Sequence, residues 1–559
     1  AGDGTDDGTN NTAMGYLALS ANCGNDNVAI GKASLQIATG GGNVAVGKDS
    51  GLIVTSGELN TYVGTLSGKD ATTGTRNTAL GNYSGASDQN SSGGSGDDNV
   101  WIGHQAGMKS SSASDNVCIG AFAGDAITTG ENNVAVGKGA LTAATINNRC
   151  TAVGVSALQN MNNASNGTLD NTAVGANAGG TGVMTGALNT LVGSAAGNQI
   201  TSGQKNTIIG GDAGDAINTG TENTLIGYNA GGTLDSGTTN VAVGSEALKV
   251  DTKGVTSIAV GYGALKTQNF TTATTTGNVA IGYDAGLSIT TGIFNVCIGL
   301  SAGDALGDAD GNIAIGRHAL GADATGSGSV AMGDSALFSQ NYGDTATAAY
   351  NTAIGHSAGY SINSGVYNIC LGGRAGATST PITSGDYNII IGVDGRPSAG
   401  TGGYQICIGN EVTGSGDNTF NFGKASNIVS NTYTSNASFS RSSDVNKKTN
   451  IEDDTLGLDF INDLRTVTFN WRPNSEFPEH YKDYHPTKND METDIKLHGM
   501  VAQEVKAALD KAGVDTFGGW SEEEDGSQRI SQEMFIHPLI RAVQELSSKV
   551  KELEERLNG

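Results

Sequence analysis

The sequence predicts a mainly β chain: a parallel β-solenoid, or β-roll, of about 23–24 rungs with a 17-residue period, followed by an α+β domain that ends in a coiled-coil helix. Three observations carry that prediction. A short apolar motif closing on glycine recurs 23 times between Asn11 and the copy that opens at Gln405. Composition breaks at residue 443, and the last segment carries a continuous heptad of aliphatic residues.

The repeat comes first, because a missed short period misassigns a whole fold. Asn27-Val-Ala-Ile-Gly31, Asn43-Val-Ala-Val-Gly47, Asn116-Val-Cys-Ile-Gly120 and Asn206-Thr-Ile-Ile-Gly210 show its core, and 14 of 22 intervals are 17 residues, which sets the period. Asparagine opens 19 copies, with Cys150, Ser257, Ser329 and Gln405 as exceptions, and glycine is fifth in all 23. A brief apolar stretch closed by glycine makes a short strand and a tight corner, since glycine takes positive φ without steric cost. One unit is thus one turn of a solenoid. Two dozen turns stacked at about 4.8 Å give a rod on the order of 110 Å, with the asparagines aligned as a ladder of side-chain amides.

Composition removes the competing classes. Glycine is 86 of 559 residues but proline only 6, which excludes collagen, and charged residues are 15%, too few for a disordered chain. The formal net charge of −25 opposes nucleic-acid binding. No run approaches the roughly 18 apolar residues of a membrane span, and the opening AGDGTDDGTN is neither basic nor apolar, so neither membrane insertion nor a signal peptide is expected.

Each turn supplies few apolar side chains, so a single chain buries a thin core and association is expected. The small third position of the motif suits a second face packed against other chains. Cys118, Cys297, Cys370 and Cys407 occupy it and read as buried thiols serving as small hydrophobes, with no metal and no cofactor. The strand motif resembles that of trimeric autotransporter adhesin heads, left-handed parallel β-rolls with a similar Ala-Ile-Gly core and a shorter unit.

Where the spacing swells, an insertion must leave the stack as a loop. Three such loops, 159–170, 266–277 and 338–350, follow copies that end in Ala-Leu and lack the opening asparagine. They share Gln159-Asn160, Gln268-Asn269-Phe270 and Gln340-Asn341-Tyr342, polar and aromatic groups suited to glycan contact at a receptor; harmless bulges left by duplication are the other reading. Phe294, Tyr350, Tyr367 and Tyr387 precede the opening residue of later rungs, and the last three, at consecutive joins, are expected to stack as a ridge that stabilises the rod. His104, His318 and His356 read as solvated turn residues. The run Asp304, Asp308, Asp310 lacks the downstream bidentate glutamate of a calcium loop. Asp49, Asp212, Glu246 and Asp284 lie on separated rungs, so no glycosidase pair is visible.

From Ser443 to Gly559 near 32% of residues are charged, against near 11% before it, and four of six prolines fall here. A new domain begins, which divides the chain into a shaft, 1–409, a neck, 410–442, with Phe420, Phe422, Tyr433 and Phe439, and a terminal domain, 443–559. Its landmarks are Ser443-Asp-Val-Asn-Lys-Lys-Thr-Asn-Ile451, Gly457-Leu-Asp-Phe-Ile-Asn-Asp-Leu464, a strand with Phe469 and Trp471, His498-Gly-Met-Val-Ala-Gln-Glu-Val505 and Ile536-His-Pro-Leu-Ile-Arg-Ala-Val-Gln-Glu-Leu546. In this order they resemble the endosialidase-type intramolecular chaperone domain of phage tailspikes and tail fibres. That resemblance implies a domain that trimerises, templates the fibre before it and cuts itself off on the amino side of a serine. Ser443 would be the nucleophile and Lys448 the base, at the Ser442–Ser443 bond, while Asn446 stands where the family has arginine. Leu539, Val543, Leu546, Val550, Leu553 and Leu557 form the heptad seam of a coiled coil over 538–557; Val and Leu at its two core positions lean toward two strands, whereas the family implies three.

Together these readings give a homotrimeric phage tail fibre of the virion, made in the host cytoplasm and acting outside the cell. Its partners would be a host-surface glycan or protein receptor and other tail proteins. The alternatives are a glycan-degrading tailspike and a bacterial trimeric surface adhesin. A register-fixing clamp is physically apt, because near-identical rungs slip by one unit at little cost.

Overall fold

In each copy of the motif the opening residue and the third turn inward, while the second and fourth turn outward. The computed structural model describes residues 8–86, 94–165, 167–425, 427–434, 440–441, 443–487, 489, 491 and 493–559, and the chain forms two compact units, Ala1–Ser442 and Ser443–Gly559.

The first unit is a parallel β-solenoid. Three-residue strands from Thr12–Met14 to Ile406–Ile408 belong to one 26-stranded sheet, each paired in register with its neighbour, so that Ala29 sits beside Ala45 and Ile208 beside Leu225. The ladder continues onto Thr419–Lys424, where Phe420 and Phe422 follow Ile406 and Ile408, making a twenty-fourth layer. The antiparallel strands Asn427–Thr432 and Ser440–Arg441 then end the parallel stack, a way to close a sheet edge that would otherwise template further pairing.

The fifth-position glycine takes φ between 125° and 141° in every rung. A Cβ at Gly282 would lie 2.3 Å from the Gly299 carbonyl oxygen, so stacking as well as φ demands glycine. Other corners are left-handed without it: Leu248 (φ 52°), Asp284 (φ 52°) and Tyr367 (φ 58°) are examples. Their amides bond adjacent rungs, Asp284 N–H to Tyr262 O and Tyr367 N–H to Ala349 O, both at 2.8 Å. Strain of about 1 kcal/mol per corner is offset by that pairing and, for Leu248, by complete burial.

The third position is the interior of the coil and not an interface with other chains. Chain alternation decides this: it shares its pleat side with the opening asparagine, whose amide needs the carbonyls of the stacked corners. Asn206 Nδ2 donates to Gly220 O at 2.9 Å and to Asn189 Oδ1 at 3.0 Å, and the pattern recurs along the stack. Core volume is balanced rung by rung. Trp101 fills the space over Gly107 of its own rung and Gly85 of the rung before, where an added Cβ would meet its ring at 2.2 and 2.3 Å. All six cysteines are free and buried; burial pushes the Cys118, Cys297, Cys370 and Cys407 thiols up to about 12.

The second unit packs helices α1 (Leu458–Asp463), α2 (Ala502–Ala512) and α3 (Ile536–Asn558) with two antiparallel pairs, Val467–Phe469 with Leu497–Gly499 and Trp520–Glu522 with Gln528–Ile530. Leu456, Phe460, Val505, Ala508, Leu509 and Phe535 form its core. Gly513, in the left-handed region, ends α2. Glu545 on α3 accepts from Leu458 N–H at 2.8 Å and so caps α1; Gly457 leaves room for its carboxylate.

Candidate functional site

Ser443 and Lys448 are brought together. Asp444 caps the 3-10 turn Val445–Lys447, its Oδ1 accepting from Asn446 N–H at 2.8 Å and from Asn446 Nδ2 at 2.9 Å, and these bonds hold its carboxyl below the usual range. The turn folds the chain back so that Lys448 Nζ donates to Ser443 Oγ at 2.6 Å. Asn446, in the family's arginine position, thus stabilises the turn through Asp444. Residues 443–450 are all exposed in the single chain. Ser442, the other side of the expected scissile bond, lies outside the described residues, as does Phe439 of the neck.

The loop residues divide differently. Gln268 and Gln340 are wholly buried, so they cannot meet a receptor; they repair the asparagine ladder where serine opens the rung. Gln268 Nε2 donates to Ser257 Oγ at 2.7 Å and to Asp251 Oδ2 at 2.6 Å, while Asp251 Oδ1 accepts from Gly254 and Phe270 N–H, both at 3.1 Å. Gln340 repeats this with Ser329, at 3.0 Å, and Asp323, at 2.5 Å. Phe270 is buried, and Tyr342 Oη donates to Gly365 O at 2.7 Å. Asn269 Oδ1 accepts from Thr252 Oγ1, and Asn341 Oδ1 from Gly343 N–H. Gln159 and Asn160 are half-buried, Asn160 Nδ2 bonding Gly180 and Thr181 carbonyls.

Gln159 is not the counterpart of Gln268. Eleven residues past the opening residue stand Met161, Gln268 and Gln340, all buried, beyond Cys150, Ser257 and Ser329. The first loop therefore has an apolar set, Ala144, Cys150 and Met161, where the others have Asp, Ser and Gln. Of the expected contact residues only Asn341 is exposed; around it and in the other loops the exposed positions are Ala164 and Ser165, Thr271 to Ala273 with Thr275, and Gly343 to Ala346 with Ala348 and Tyr350.

The aromatic ridge is present and longer than the sequence suggested. Tyr350, Tyr367, Tyr387 and Tyr404 follow one another with centroids 5.4, 4.9 and 4.9 Å apart. Tyr404 was missed because glutamine opens its rung. His104 and His318 pack edge-on against Phe122 and Phe338. Asp304, Asp308 and Asp310 do not gather as a metal site among the described residues. Glu246 is held by Lys249 (2.7 Å) and Lys266 (2.6 Å), which lower it to about 2, a poor proton acceptor.

The outward second and fourth positions are Val, Ile, Leu, Met or Thr in every rung, without a single charge. Residues just before the motif and just after its glycine flank this face, among them Leu59, Leu188, Phe294 and the tyrosine ridge on one side, and Tyr228, Tyr262, Tyr283, Leu300 and Val393 on the other. Among the described shaft residues, the large apolar side chains left exposed lie on this strip, with Ile37, Val183, Tyr360 and Tyr433 as exceptions.

Residues 443–514 match the family model for the chaperone of endosialidase. The carboxy-terminal unit carries an endosialidase-type chaperone domain. No curated protein matches the chain. The chaperone domain implies trimer formation, and a shaft of about 24 turns ending in it fits a tail fibre or tailspike. Beyond the matched residues, α3 presents Leu539, Val543, Leu546, Val550, Leu553 and Leu557 to solvent. No described helix is long and apolar enough to cross a membrane.

Proposed function

We propose that the protein is a homotrimeric phage tail fibre of the virion that attaches to a host-surface glycan or protein through the exposed loop tips of its shaft. The observation that carries this reading is the charge-free outer face running the length of a solenoid whose carboxy end is a trimer-forming chaperone. A strip of that length is covered in a soluble particle, and two identical neighbours cover it. The α3 seam would close as a coiled coil and fix which rungs face one another before the shaft zips.

Self-cleavage belongs to the same reading. Once Lys448 Nζ has lost its proton, it accepts that of Ser443 Oγ, which attacks the carbonyl carbon of Ser442. The peptide nitrogen leaves as the amine of Ser443, and water hydrolyses the resulting ester. Lys448 is exposed in the single chain, so this reading requires the assembled trimer to cover the dyad before it can act.

Native mass spectrometry of the expressed chain tests both parts. A trimer whose subunits end at Ser442, with a released 443–559 fragment, is expected; Ser443→Ala should leave full-length subunits in an intact trimer. A monomer refutes the fibre, and cleavage persisting in Ser443→Ala refutes the dyad. Labelled trimer should bind host cells, and release of oligosaccharide from host polysaccharide would favour a tailspike enzyme instead.

A further inference from the structure

The chaperone unit opens with an arm that packs on nothing in its own chain. Residues 443–455 are exposed at every position, Val445 and Ile451 among them at 65% and 64%. Among the described residues the arm's hydrogen bonds stay within it or reach only Leu456, where the chain enters the core. Glu452, Asp453 and Asp454 follow Ile451 directly, so the arm offers one aliphatic side chain and then three carboxylates.

The same unit carries a groove of about 730 Å³ where its two hairpins meet the start of α2. Phe469, Trp471, Phe477, Met500 and Ile530 supply its apolar wall, with the Trp471 ring edge-on to Phe469 at 5.4 Å and 45% exposed. Arg472 and Arg529, the second also paired with Glu523, are exposed along it, and no carboxylate lines it. In a domain with 24 acidic and 14 basic residues such a lining is out of character. An apolar wall beside two guanidiniums matches an aliphatic residue followed by carboxylates. The arm does not reach the groove within one chain, and a trimer-forming domain brings a second copy of each.

We infer that the arm of one copy docks on the chaperone unit of the next, Ile451 seated against Phe469 and Trp471 and the acidic run against Arg472 and Arg529. The inference rests on the trimeric, self-cleaving reading and names the surface that covers the dyad. Three residues, at most about 10 Å of chain, separate Lys448 from Ile451, so docking sets Ser443 Oγ and Lys448 Nζ against the neighbouring subunit. Each dyad is incomplete without that subunit's groove, and the cut waits on assembly.

Cross-linking reads the docking on the full chain, in a Ser443→Ala background that keeps the arm joined to the shaft. Glu452→Cys and Gln503→Cys place exposed thiols beside Ile451 and on the groove, while the native thiols are buried. A short bis-maleimide should convert most of the protein to covalent dimers and trimers on a denaturing gel, about tenfold more than either cysteine alone. A trimer by native mass with no link, or with a link inside one chain, overturns the inference and leaves the trimer standing. A monomer overturns both.

Complementation reads the consequence. Trp471→Asp alone should abolish the cut, as Ser443→Ala does. Co-expression of the two should release a 443–559 fragment with the mass of Trp471→Asp, from about half of those chains in randomly mixed trimers, because their arms then meet intact grooves. Arg472→Glu repeats the test at an exposed position should Trp471→Asp fold poorly. Cutting by the groove variant alone, or none in mixed trimers while the parent cuts, overturns the inference. An uncut parent overturns self-cleavage instead, and the cross-link then decides the docking.

Discussion

The side-chain amide of Asn278 donates to Gln268 Oε1 at 2.9 Å, across a rung that Ser257 opens in place of asparagine. The amide ladder inside the solenoid is therefore not interrupted at that rung. A glutamine from the inserted loop reaches in to carry it, and Asp251 anchors the glutamine from the other side.

Gln268→Met removes both functions and leaves Asp251 Oδ2 buried without its donor. It should destabilise the surrounding rungs by about 2–4 kcal/mol, the cost of a stranded buried polar group. The chain itself holds the remedy, because Ala144, Cys150 and Met161 fill the equivalent space without polar atoms. The triple change Asp251→Ala, Ser257→Cys, Gln268→Met should return to within about 1.5 kcal/mol of the parent. Hydrogen exchange over residues 251–278 measures both; a triple variant no better than the single one would show that the three residues do not act as a unit.

Corner glycines divide into two kinds. Gly282 has φ 140° and no room for a Cβ, whereas Gly211 is outside the left-handed region and a Cβ there meets nothing closer than 3.8 Å. Gly282→Ala should cost at least about 3 kcal/mol and lower the yield of soluble shaft. Gly211→Ala should change stability by less than about 1 kcal/mol. Thermal unfolding of the two variants side by side checks the contrast.

The period, the strand positions and the inward ladder of asparagines were legible because Asn and Gly recur at fixed spacing and each has one physical use there. The direction of the third position was not. A small residue reads equally as close approach between chains or as the inside of a thin coil, and only its shared pleat side with Asn206 and its equivalents decides. Gln159-Asn160 misled because it matches Gln268-Asn269 by letter; counting eleven residues from Cys150, Ser257 and Ser329 would have led to Met161. Left-handed corners at Leu248 and Tyr367 carry no sequence signal, since the bonds of the stack impose them. Ser443 and Lys448 were legible as a motif, but the Asp444–Asn446 cap that folds one onto the other was not.

The α3 seam gives a third outcome. Leu546 and Val550 are about half exposed in the single chain. Leu546→Asp with Val550→Asp places six carboxylates in the core of a three-stranded coil and should abolish trimers, while α3, which is amphipathic through Ala542 and Glu545, still packs on α1. Sedimentation should show monomers or aggregates and the shaft should be largely insoluble. A soluble, trimeric product would mean that the strand faces assemble without the terminal clamp.

Asp251 and Asp323 give the shaft a local pH response with an uncommon sign. Burial raises both carboxyls, and the hydrogen bonds from Gln268, Phe270 and Gly254, or from Gln340 and Gly326, oppose that only in part. A group raised on folding stabilises most below its unfolded value, about 4, and that contribution is lost as pH climbs through the raised folded value. Exposed pairs such as Arg374 with Asp394 act the other way, since Asp394 is lowered and its small contribution disappears only in acid. Hydrogen exchange corrected for intrinsic rates should therefore show residues 251–278 and 323–351 opening more readily at pH 7 than at pH 4, a span that starts at the unfolded value and runs upward through the raised ones. The region around Ala144 and Met161, which has no buried carboxyl, should change little, and Asp251→Asn should flatten the response over residues 251–278 alone. Equal pH dependence at all three joints would remove the carboxyls as its cause.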